Sequence, residues 1–179
     1  MRPAEPAESG KRPRIGHNTT HMSDPLRDHL ERILHWDEAH VDFDTAVNGI
    51  PPACRGALPP GFEHSAWQLL EHMRIAQRDL LNFTTSATYS HDLTWPDDYW
   101  PKTPAPPDDA AWDESVALFR LDRRAFQVLV SDPSFDPFAK VPTGQPHQTG
   151  LRSILLIVDH NAYHLGQLVA VRRALGIWK

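Results

Sequence analysis

The 179-residue chain sets 18 Lys and Arg against 23 Asp and Glu, a net charge of −5, and no part of it forms the basic stripe that nucleic acid requires. A single cysteine, Cys54, excludes an intramolecular disulfide and fits a reducing cytoplasm. No apolar run reaches the roughly 18–20 residues that span a membrane, and the N-terminus lacks the apolar segment of a secretory signal.

Residues 1–22 read as a disordered leader, polar and proline-containing, and Met22, just before a strong helix start, is a candidate initiator. Residues 23–179 read as one domain. The first helix is expected from about Pro25 to Asn48. Asp24 suits its N-cap, Pro25 its first turn, and Gly49 the left-handed residue after its end. Residues 50–64 read as a loop. The second helix is expected from about Ala66 to Thr84, with Ser65 and Gln68 spaced as a capping box.

A proline- and aromatic-rich connection, 85–108, follows. Its Trp95 and Trp100 suit either a pocket wall or a dimer contact. The third helix is expected from about Asp109 to Val130. After a second long connection, 131–149, the fourth runs from Thr149 as cap to about Leu175, closed by Gly176. Four helices of about 20 residues with no strand predict an all-α four-helix bundle. Its two long connections exceed what antiparallel neighbours need, so at least one crosses over an end of the bundle.

The fourth helix carries His160 and His164. Four residues apart, they project from one helical face, one turn apart, and two imidazoles so placed can reach one metal ion. Spacing alone is weak evidence, since 11 histidines in 179 residues give roughly 0.7 such pairs by chance. His17 and His21 form another, in the leader and without apolar periodicity. What sets His160 and His164 apart is their helical frame and a third inward-facing histidine, His72, in the second helix. Three core imidazoles are explained more simply by a shared metal than by three separate hydrogen-bond arrangements.

The segments Ser65-Ala66-Trp67-Gln68-Leu69-Leu70-Glu71-His72 and His160-Asn161-Ala162-Tyr163-His164-Leu165-Gly166-Gln167 resemble the two motifs of the DinB/YfiT-like family. The first ends in a metal-binding histidine; the second reads His-x-x-x-His-x-Gly-Gln. The resemblance covers residues 24–178. It implies a four-helix bundle in which His72, His160 and His164 hold a divalent ion facing a pocket, and homodimerisation is a family-level expectation.

Three imidazoles suit zinc, nickel or iron, with zinc the default. The resemblance further implies a metal-dependent enzyme with a small-molecule substrate. The reaction expected first is S-transfer from a low-molecular-weight thiol, then metal-assisted hydrolysis. The alternative is a non-catalytic metal-binding bundle. Gln167, one turn beyond His164, can hydrogen-bond a ligand or simply sit in the bundle interior. Glu71 is a weak catalytic candidate because it points about 100° from His72. Gly166 is expected to let a neighbouring helix approach, Tyr163 to pack between helices rather than lean over the pocket, and His40 to be half-buried rather than face the site. Asp159 and Asn161 are expected in solvent or beside a metal ligand. Cys54 has no assigned role.

Overall fold

The computed structural model describes residues 24–35 and 39–178. The leader, Met22, the His17/His21 pair and part of the expected first helix lie outside these residues. The described elements are α1 (Pro25–Ile33), α2 (Phe43–Val47), α3 (Pro52–Arg55), α4 (Ala66–Thr85), a 3-10 turn (Asp97–Tyr99), α5 (Asp109–Ser131) and α6 (Gly150–Ala174). Among the described residues there is no strand, only an isolated bridge between Lys140 and Thr149.

The three long helices start where their local chemistry says. Ser65 and Gln68 form both bonds of the capping box on α4. Asp108 caps α5 through the Ala111 amide, and Thr149 caps α6 through that of Arg152. The expected single helix Pro25–Asn48 is corrected: α1 and α2 are separate. Asp42 starts α2 by accepting a hydrogen bond from the Thr45 amide at 2.7 Å. The break has a packing reason, because the two pieces feed different parts of the core. Leu30 and Leu34 join Leu81, Phe126, Val130, Ile154 and Ile157. Phe43, Ala46 and Val47 join Leu69, Met73, Trp112, Phe119, Leu165 and Leu168. Phe43 stacks on Phe119 at 3.8 Å between ring centroids, and burying one such ring contributes about 1.5–3 kcal/mol. Residues 50–64, expected as plain loop, contain the single turn α3.

Two arginines bind these short elements to the ends of the long helices. Arg27 of α1 donates to the carbonyls of Val130, in the last turn of α5, and of Asp132 and Phe135 just beyond it. Arg172 of α6, itself buried, donates to the carbonyls of Thr45 and Ala46 at 3.0 and 2.7 Å. In both cases a guanidinium satisfies carbonyls that the end of a helix leaves unpaired.

The two core clusters fix the helix directions. One joins the start of α4, the start of α5 and the end of α6; the other joins their opposite ends. α4 and α5 are therefore parallel, and α6 is antiparallel to both. A parallel pair needs a connection that returns along its length, and residues 86–108 make it. This strap bonds Tyr89 and Tyr99 to Asp79, then Tyr99 to His72, and meets Ser65 through the Pro104 carbonyl. Its end crosses Gly56, where an added Cβ would come within 2.8 Å of Ala105 Cα.

α6 corrects the reading that no apolar run approaches spanning length. By length and composition it qualifies, with a mean hydropathy of 1.2. It is nonetheless a core helix that buries Ser153, Asn161, His164 and Arg172 against its neighbours.

Candidate metal centre

Between the two apolar clusters the core is polar. Gln77 lies one turn beyond Met73 on α4, and Asn161 one turn beyond Ile157 on α6; both are fully buried. Fully buried amides must be paired, and theirs are paired in series. Gln77 Nε2 donates to the Phe119 carbonyl at 2.7 Å, and Asn161 Nδ2 donates to Gln77 Oε1 at 3.0 Å. A backbone carbonyl can only accept, so the chain has one sense. It leaves Asn161 Oδ1 as acceptor for His160 Nδ1, 3.2 Å away.

The same logic holds for the other two histidines. His72 Nδ1 donates to the Tyr99 carbonyl at 2.9 Å, and His164 Nδ1 donates to Gln167 Oε1 at 2.7 Å. Each ring thus carries its proton on Nδ1 and an unshared pair on Nε2. The ligand atoms of His72, His160 and His164 lie within 4.8 Å of one another, and Nε2 of His72 and Nε2 of His160 are 3.0 Å apart.

Two bare lone pairs do not form a hydrogen bond. Burial pushes His72 down to about 4, with further lowering from His160 and His164. Burial likewise pushes His164 down to about 4, and His160 down from its ordinary value. At neutral pH no proton is left to sit between the rings. A cation satisfies the arrangement, and neutral imidazoles backed by carbonyl acceptors are the donor set that zinc-type ions take.

The surroundings are aromatic. The Trp100 indole stacks on His72 at 3.8 Å with planes 2° apart, and it also stacks on His64 at 3.8 Å. Trp100 therefore forms part of the wall, whereas Trp95 is 65% exposed. Beside the triad lies a cavity of about 280 Å³. Phe62, Leu69, Ala170 and Val171 line it, together with Glu63, His64 and Gln167; the triad's own rings are not in its wall, and Gln167, bonded to His164, is the link between the two.

Several expectations need correction. Tyr163 does not pack between helices: it is 65% exposed, with its ring edge-on to His164 at 4.9 Å. Gly166 is not a close-approach position, since a Cβ there would meet nothing within 4 Å. His40 is exposed rather than half-buried, and its Nδ1 bonds the Val41 carbonyl. Asp159 is exposed, as one reading had it, while Asn161 is the hydrogen-bond partner of His160. Glu71 is turned toward α5, from which Ser115 donates it a hydrogen bond, while Arg74 on its own helix binds both of its oxygens at 2.7 and 2.8 Å. Burial alone would raise its carboxyl, but Arg74 and Ser115 outweigh that and hold it below its ordinary value. Sequence reasoning missed His64, Gln77 and the Tyr99 carbonyl. All three depend on long-range placement, and only the Asp79-Tyr99 pairing of charge and phenol could have hinted at the strap's path.

The described chain is thus an all-helical protein whose core brings together three imidazoles able to hold a metal ion. It belongs to the DinB superfamily, whose family model matches residues 35–168. Comparisons with curated proteins and with solved structures gave no match.

Proposed function

We propose that this chain is a divalent-metal-dependent enzyme whose ion is held by His72, His160 and His164, with zinc as the first candidate. In this reading the pieces α1 and α2 together complete a four-helix bundle around α4, α5 and α6. The observation that carries the reading is the 3.0 Å approach of two Nε2 atoms whose Nδ1 protons are already committed to carbonyl oxygens.

Such an ion supplies Lewis acidity: it lowers the pKa of a water or thiol and polarises an electrophile. The protein's own groups do the rest. Tyr99, Asn161 and Gln167 fix ring orientation and tautomer. Trp100 and Leu69 exclude water from one side. The cavity beside Gln167 takes a small substrate. Three protein ligands leave coordination positions for that substrate, which favours catalysis over a purely structural centre.

The reaction we favour is S-transfer from a low-molecular-weight thiol in the cytoplasm, carried out by a homodimer; hydrolysis comes next. The second reading is a metal-binding bundle without turnover, and a fourth protein ligand would favour it. Metal analysis of purified protein tests the centre directly. Wild type should hold one ion per chain, and His160→Ala should lose it together with any turnover. Full metal content in His160→Ala would sink the assignment.

A further inference from the structure

Among the described residues, three of the exposed large apolar side chains are aromatic: Trp95, Phe138 and Tyr163. Two of the three stand against the triad. The Trp95 ring lies 6.4 Å from that of His72, and the Tyr163 ring 4.9 Å from that of His164, centroid to centroid. Both aromatics are 65% exposed, although the histidines they meet are buried. An exposed ring meets a buried one only where the buried one nears the surface. The two aromatics therefore mark the side on which the triad approaches solvent, and His160, its half-buried member, agrees. Trp100 already covers one face of His72 and stands edge-on to His164 at 5.8 Å, so Trp95 meets the His72 ring elsewhere. The cavity beside Gln167 belongs to the covered side, because His64 in its wall stacks on Trp100.

Both exposed rings are held in place. Trp95 packs edge-on against Tyr99 at 5.1 Å, and the Tyr99 hydroxyl is anchored on Asp79. Tyr163 stands on α6 between His160 and His164. A soluble surface carries single apolar residues anywhere, but it groups large ones where something binds. We propose that Trp95 and Tyr163 set the specificity of the site, receiving the planar aromatic body of a substrate whose polar end reaches the ion. The inference rests on the metal-centre reading and names the substrate class of that same site. Indole and phenol rings pack on a flat ring, edge-on or offset, more favourably than the buried area alone provides. The cavity beside Gln167 stays available to a second, smaller reactant.

The test uses the full chain loaded with cobalt and three hydroxamates that share one metal-binding head: acetohydroxamate, cyclohexanecarbohydroxamate and benzohydroxamate. Affinity is read from the cobalt absorption bands and by calorimetry, without turnover. Wild type should prefer benzohydroxamate to both of the others. Trp95→Leu and Tyr163→Leu keep apolar bulk and remove the ring. Each should bind benzohydroxamate roughly 2- to 10-fold more weakly, the worth of one aromatic pair, with cobalt content and acetohydroxamate affinity unchanged. Trp95→Phe and Tyr163→Phe should restore most of the preference. The same ratio of benzohydroxamate to acetohydroxamate affinity in wild type and both Leu variants would overturn the role of the two rings and leave the centre intact. Cyclohexanecarbohydroxamate bound by wild type as tightly as benzohydroxamate would overturn the aromatic class. Loss of cobalt in the Leu variants would overturn the proposal by making the rings supports of the ligands. A wild-type protein that takes up no cobalt would remove the centre and this role together.

Discussion

Asn161 decides more than its size suggests. Its amide stands between the Gln77 side chain and His160, and through Gln77 it is referred to a backbone carbonyl of α5. Replacing it with Ala leaves Gln77 Oε1 and His160 Nδ1 buried without a partner. Each orphaned group costs about 1–3 kcal/mol, and a metal ligand that loses its supporting hydrogen bond typically binds about 10–100-fold more weakly. Asn161→Ala should therefore lower both the unfolding free energy in denaturant and the zinc affinity measured against a chelator. Unchanged affinity would show that the chain of amides does not orient His160. The sequence named the three histidines because each sits on the apolar stripe of a helix. It could not choose between solvent and ligand contact for Asn161, since the position lies at the edge of that stripe and the partner that buries it, Gln77, is 84 residues away.

The strap is the element that couples the rest of the chain to the triad. Asp79 receives the hydroxyls of Tyr89 at 2.8 Å and Tyr99 at 2.5 Å, and the carbonyl of Tyr99 holds His72. Burial raises both tyrosines well above the ordinary phenol range, with their hydrogen bonds to Asp79 acting in the same direction, so they remain donors throughout the working pH range. Asp79→Ala removes both anchors at once. Amide hydrogen exchange across 86–100 should speed up, and zinc should bind several-fold more weakly as His72 loses its fixed acceptor. Exchange confined to wild-type rates would mean that aromatic packing alone secures the strap. Prolines and tryptophans marked 85–108 as a packed segment, but its course along α4 was not legible. Likewise the 3.6-residue periodicity from Leu26 to Val47 read as one helix, although Asp42 with Thr45 three residues on carried a local start signal for α2. Periodicity averages over a window, and a cap inside it is easily overlooked. Where a start signal stood at the edge of a window, as with Ser65, Asp108 and Thr149, the boundary was readable.

For the molecule as a whole, the triad is a site of acid sensitivity. His72 and His164 are lowered to about 4 in the folded protein, against about 6.5 when unfolded. The folded state binds fewer protons across that window. The stability of metal-free protein is therefore full above pH 6.5 and lost as pH falls toward 4, by a few kcal/mol on the order of the combined shifts. The melting temperature of chelator-treated protein should drop between pH 7 and 4.5, and His164→Phe should flatten the drop. An equal slope in that variant would assign the acid sensitivity to the carboxylates instead. The all-helical class was legible because four capped apolar segments leave no room for a sheet. The parallel course of α4 and α5 was not, because nothing local encodes direction. The polar layer meanwhile divides the core into two apolar halves, each closed on itself by fully buried side chains such as Phe43 and Phe126. Neither half needs an ion to be complete. A metal held by the triad should therefore be a removable part: stripping it with a chelator and returning it, or another of similar size, should leave the far-ultraviolet helical signal unchanged.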